Sequence, residues 1–199
     1  MPAPAARSLY APASFRRLLA CVPAAALLCA VALLTACSPA YDWREIRADE
    51  DHYRALMPAR PDRLTRAIML EDLPVQMTMQ GAQIDGVAFT VAAAPLPDES
   101  VEVRERALAA MRTAMVRNVT GRELQAEAVP VPVLDAGGTV VGSAPGWRVS
   151  AEGTANGRPV MLHAIFSARP GRVWQAVVLG PDPDPDQTKI FLDGFRLVD

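Results

Sequence analysis

The chain has 199 residues, 51% of them apolar, with 20 basic against 22 acidic side chains. Three arginines and no acids lie within residues 1–36, so the remaining 163 residues carry 17 basic and 22 acidic groups, a net charge of −5. That balance argues against nucleic acid or an anionic membrane surface as a partner, since both select a basic patch, while 163 residues suffice for one globular domain with its own core.

At the N-terminus, Arg7, Arg16 and Arg17 precede an uninterrupted apolar run over residues 18–34, the charged-then-apolar order of a secretory leader. Leu34-Thr35-Ala36-Cys37 follows. This tetrapeptide resembles the lipobox of bacterial lipoproteins: an aliphatic residue, two small ones, then a cysteine that is acylated and becomes the new N-terminus. The resemblance implies cleavage between Ala36 and Cys37, lipidation of Cys37, a signal peptide over residues 1–36 and a short tether over residues 37–53. The other reading is a retained membrane anchor, since the 17-residue run reaches the short edge of a spanning helix; its alanines and Pro23 weaken that reading. Ser38 stands where many inner-membrane lipoproteins carry Asp, which points to the periplasmic face of the outer membrane, with the inner membrane as the alternative. Cys21 and Cys29 leave with the leader and Cys37 takes the lipid, so no thiol remains for a disulfide, a metal site or a nucleophile.

Beyond the tether, residues 54–199 read as a single α/β domain. Tyr41, Trp43 and Ile46 either rest at a membrane interface or pack back onto that domain. Met57-Pro58-Ala59-Arg60-Pro61 is extended, because the residue before a proline is driven out of the α region. Val75, Met77 and Met79 alternate with Gln76, Thr78 and Gln80, the period of a half-buried strand, and Val87, Phe89 and Val91 return after Asp85-Gly86. A helix opens at Asp98, with Val101, Leu108, Met111 and Met115 on one face and Arg112 and Arg117 near its end. Pro130 and Pro132 confine residues 124–134 to a sheet edge. Residues 142–146 read as a loosened stretch. Trp147, Val149 and Ala151 then share one side of a strand, Asn156-Gly157 turns a hairpin, and residues 160–168 and 172–179 form another. Pro181 to Asp186 is a stiff acidic loop in which Asp184 or Asp186 caps a last short helix carrying Ile190, Phe191 and Phe195.

Met57-Pro58-Ala59-Arg60-Pro61, the pair Gly146-Trp147-Arg148-Val149 and residues 158–166, and the ending Phe191-Leu192-Asp193-Gly194-Phe195-Arg196-Leu197 together resemble the Mog1/PsbP-like family of exported α/β/α sandwiches. The resemblance implies an α+β fold, an antiparallel sheet with one long central helix and a short C-terminal helix, and a non-enzymatic accessory or binding module of the cell envelope with a protein partner. It supplies no catalytic residue.

The chemistry-bearing residues are sparse. His52 and His163 are far apart, and His163 shares a strand phase with Met161 and Ile165, the setting of a structural histidine. No metalloprotease, nucleophile-elbow or phosphate-loop motif is present, so no catalytic residue, cofactor or metal site is expected. Met77 and Met79 could offer thioethers to Cu(I) with Met57, Met69 and Met161 nearby, or simply fill core. Arg54, Arg60, Arg63 and Arg66 form a basic cluster that acidic neighbours can neutralise. The alternatives to a binding module are therefore copper or small-ligand handling, or an enzyme whose pocket is assembled from dispersed residues.

Overall fold

Apolar–polar alternation continues through segments that composition marks as loops, and strands dominate as a result. The structure is a computed structural model that describes residues 40–199; the lipobox residues Ala36 and Cys37 lie outside that range. In chain order the elements are β1 (Arg44–Ala48), β2 (Tyr53–Met57), β3 (Asp62–Leu70), β4 (Leu73–Ile84), β5 (Val87–Pro95), α1 (Val101–Asn118), β6 (Arg122–Leu134), β7 (Val140–Ala155), β8 (Arg158–Arg169), β9 (Arg172–Gly180), α2 (Pro185–Asp193) and β10 (Arg196–Val198). All ten strands join one sheet in the order β1-β2-β10-β6-β7-β8-β9-β5-β4-β3.

The α+β sandwich with a long central helix, and with it the Mog1/PsbP-like architecture, is corrected by this arrangement. Among the described residues the fold is mostly β, 58% strand, a curled half-barrel with two α-helices, one on each face, rather than a sandwich built around a central helix. The sheet is mixed, because β10 runs parallel to β6 while the other pairs are antiparallel. The physical reason lies in strand length. Residues 142–146 do not loosen the chain but lie inside β7, a 16-residue strand. Bulges in the β6–β7 pairing, between Glu123 and Gln125 and between Val133 and Leu134, bend and twist the long ribbon so that the sheet curls. The motifs behind the resemblance are packing residues, compatible with more than one strand order.

The central strands are buried on both faces and read as near-continuous apolar runs. On one face Phe89, Val91, Ala93, Trp174, Ala176 and Val178 pack with Tyr53, Met57, Leu197 and with Phe191, Leu192 and Phe195 of the α2 region. On the other, Ala92, Ala94, Leu162, Ala164, Phe166 and Val177 pack under α1 through Ala107, Ala110 and Met111. Ser100 caps α1, its side chain accepting from Val103 N at 3.2 Å, while Asp98 accepts from Ser100 N at 2.7 Å and so fixes the cap. Tyr41 and Trp43 stack at 5.9 Å and both meet Phe89 edge-on at 6.1 Å; Trp43 also donates to Gln187 Oε1 at 3.0 Å. The aromatics nearest the tether therefore belong to the compact unit Tyr41–Asp199.

Two glycines are dictated by geometry. Asn156 and Gly157 both take positive φ, 52° and 75°, as a two-residue hairpin with the right twist demands. At Gly153 a Cβ would stand 2.3 Å from the Val119 carbonyl oxygen, where α1 ends against β7. Gly153→Ala is expected to lower stability by about 1–3 kcal/mol, the range of an overpacked core site, measured as a shifted urea midpoint at unchanged slope. An unshifted midpoint would mean that the α1 terminus moves away freely.

Candidate functional site

The strand register, rather than any sequence motif, brings several polar side chains together along one cleft. Gln125 of β6 stands opposite Ser150 of β7, and Ser150 opposite His163 of β8. On the neighbouring row Glu127 stands opposite Arg148. Side chains two apart share a sheet face, so these five project to the α2 side. There α2 roofs them with Thr188, Lys189, Leu192 and Asp193, and Pro183 and Pro185 close one end, leaving a cleft of about 510 Å³. Asp184 makes the roof possible: its carboxylate accepts from Gln187 N at 2.9 Å, with Pro185 in the first turn.

Asp193 organises the charges. Arg148 donates to Asp193 Oδ1 at 2.7 Å, Lys189 bonds the other oxygen, and Arg148 Nε lies 4.0 Å from Glu127. Partial burial pushes the Asp193 carboxyl up, but the hydrogen bonds from Lys189 and Arg148 outweigh it and hold the group below the ordinary carboxylate range. Burial, and then the Arg148 guanidinium, lower His163 below an ordinary histidine. Thr188 is 8% exposed and its hydroxyl has no hydrogen-bond partner. A buried hydroxyl without a partner is uncommon, since leaving one unsatisfied costs about 1–3 kcal/mol. The residue lines the cleft wall, with its hydroxyl oxygen shielded from solvent.

The arrangement offers charged hydrogen-bonding groups for recognition. The Asp193 carboxylate is engaged by two cations, Arg148 and Lys189, and a charge-paired wall of this kind fixes the orientation of what it meets.

Other residues singled out by the sequence fall elsewhere. His52 is exposed at the end of a 3-10 turn, in left-handed backbone (φ 55°), away from His163. Met77 and Met79 face the α1 cluster, Met57 is buried on the opposite face, and Met69 is exposed on β3, so the thioethers do not converge. The arginines also separate. Arg54 is buried and donates to Ala136 O at 3.1 Å, Arg63 pairs with Glu50 at 3.1 Å and with Asp51 at 3.3 Å, and Arg60 and Arg66 face solvent. Among the described residues no group of three His, Cys, Asp or Glu could hold a metal ion. None of the cleft residues Gln125, Glu127, Arg148, Ser150, Thr188, Lys189 and Asp193 stands out in the sequence as a candidate site residue, although Arg148 and Asp193 lie within the packing motifs. Arg148 and Ser150 also occupy the phase opposite Trp147, Val149 and Ala151.

Fold and cleft together define a curled, mostly-β domain with one helix on each face and a polar, ligand-sized recess beneath the shorter one. No family model matches the chain, and no curated protein matches it. Among solved structures it is similar to a protein of unknown function, PA94, from Pseudomonas aeruginosa, at 11% identity over 74% of this chain and 88% of that one, with a TM-score of 0.36.

Proposed function

We propose that the chain is an exported lipoprotein anchored through Cys37 at the periplasmic face of the outer membrane, whose domain binds a partner of the cell envelope without catalysing a reaction. The observation that carries the binding role is the cleft under α2, where the unpartnered Thr188 hydroxyl stands in a wall shared with Arg148, Lys189 and Asp193. The anchoring role rests on Leu34-Thr35-Ala36-Cys37 behind its charged and apolar leader. The described unit begins within a few residues of that cysteine, so the tether holds the cleft close to the bilayer.

Cys37→Ser tests the anchor: metabolic palmitate labelling is expected to vanish and the protein to move to the soluble periplasmic fraction. Retention in the membrane without label would instead make residues 18–34 an uncleaved helix. The binding role is tested in cells by a photo-crosslinker placed at Lys189, whose side chain is 73% exposed. A specific protein adduct is expected, and it should disappear when Arg148→Ala is added. Recovery of a bound small molecule and no protein adduct would turn the role to small-ligand handling.

A further inference from the structure

We infer that the occupant of the cleft is an extended peptide of a partner protein, which adds as a strand to the open outer edge of β6 and places an acidic side chain beneath α2. This rests on the binding role proposed above and specifies its partner.

The edge is unusual because β6 lies inside the strand order, between β10 and β7. Its pairing with β7 runs from Arg122 to Leu134, but its pairing with β10 covers only Val133 and Leu134. Pro130 stands opposite Pro145. Neither has an N–H, so this is a non-hydrogen-bonded pair, with the backbone groups of both residues turned away from each other. The two-residue period then turns the backbone of Ala126, Ala128, Pro130 and Pro132 to the outer edge. The prolines silence it near β10, as they do on exposed edges generally. Ala126 and Ala128 keep their N–H and C=O groups there, with the smallest side chains that leave a strand position approachable; Ala128 is exposed and Ala126 partly so.

Between these alanines stands Glu127, and beside them Gln125, both lining the cleft. A strand bonded to Ala126 and Ala128 would therefore direct alternate side chains into the cleft, the geometry of peptide recognition by strand addition. Charge selects the side chain. Arg148 and Lys189 both reach the Asp193 carboxylate, with Glu127 4.0 Å from Arg148 at the rim, and each cation carries more N–H donors than these contacts use. Hydrogen bonds from Lys189 and Arg148 hold the Asp193 carboxyl low, and the Arg148 guanidinium adds to burial in lowering His163. A carboxylate entering this space meets Arg148 and Lys189, which line it.

The test uses the full lipidated chain in detergent micelles, screened against phage-displayed random heptapeptides. Enriched peptides are expected to share Asp or Glu at one position. A synthetic representative should lose at least tenfold in affinity when that residue becomes Asn or Gln, and again in Arg148→Ala. Amide exchange at Ala126 and Ala128 should slow at least tenfold in the complex, and Ala128→Pro should abolish binding. Should that variant fail to fold by circular dichroism, the exchange measurement decides alone. Failure to enrich acidic peptides overturns the inference. So does binding that shifts the His163 ring resonances while leaving Ala126 and Ala128 unprotected, although the cleft would then stand as a binding site. His163 resonances unmoved by every enriched peptide would remove the cleft as well.

Discussion

Phe191→Ala is expected to lower the unfolding free energy by about 3–5 kcal/mol, the range for truncating a buried phenylalanine. Phe191 is fully buried, and its ring meets Phe89 edge-on at 5.4 Å. The 9-residue α2 is far too short to be stable in isolation. It is held by Phe191 and Leu192, and by Phe195 just beyond, against the central strands. Ile190→Ala on the same helix is the control, because Ile190 is 38% exposed and should lose under about 1 kcal/mol. Urea denaturation of both variants reads the difference. Equal losses would mean that α2 does not depend on this contact.

Asp51→Ala is the second large effect, at about 3 kcal/mol, near the lower end for breaking a buried ion pair because its partners are partly hydrated. The Asp51 side chain is 8% exposed and lies 3.3 Å from Arg63 and 3.5 Å from Arg172. The backbone of the same residue accepts from Trp174 Nε1 at 2.7 Å, which survives the substitution and keeps the turn in place. The neighbouring Tyr53 hydroxyl adds a pH signature. Burial, and next the Asp51 carboxylate, raise its pKa above the ordinary 10.0. A group raised in the folded state stabilises fully below its unfolded pKa, and that contribution is lost as pH climbs through the folded value. Wild-type stability should therefore fall as pH rises above 10.0, and Asp51→Ala should reduce the steepness of that alkaline loss. Identical alkaline profiles would sever Tyr53 from Asp51.

How much of this was legible in the sequence varies by element. Val75, Met77 and Met79 alternate openly and do lie in β4, and Asn156-Gly157 names its own turn. Asp184 caps α2 as the Pro-Asp loop suggested. What could not be read is pairing across distance. Pro130 and Pro132 correctly signal a missing ladder, yet β6 is an inner strand whose outer side is largely unpaired, a case that edge-or-centre reasoning does not contain. Gly142, Pro145 and Gly146 look like a loop, but Gly146 lies where a Cβ would stand 2.7 Å from Val131 and 2.8 Å from the Phe166 carbonyl oxygen; it is a close-packed strand position. Gln125, Ser150 and His163 become neighbours only through register, which depends on a bulge that composition does not reveal.

The position of β10 sets the timing of folding. β2 and β6 are joined only through this three-residue strand, which follows every other element in the chain. Leu197 must pair with Tyr53 on one side and with Val133 on the other, and contacts of such sequence separation form slowly. The sheet cannot close during synthesis until the ribosome has passed Val198. Until then β1 and β2 stay apart from the seven strands β6 to β3, which pair without β10.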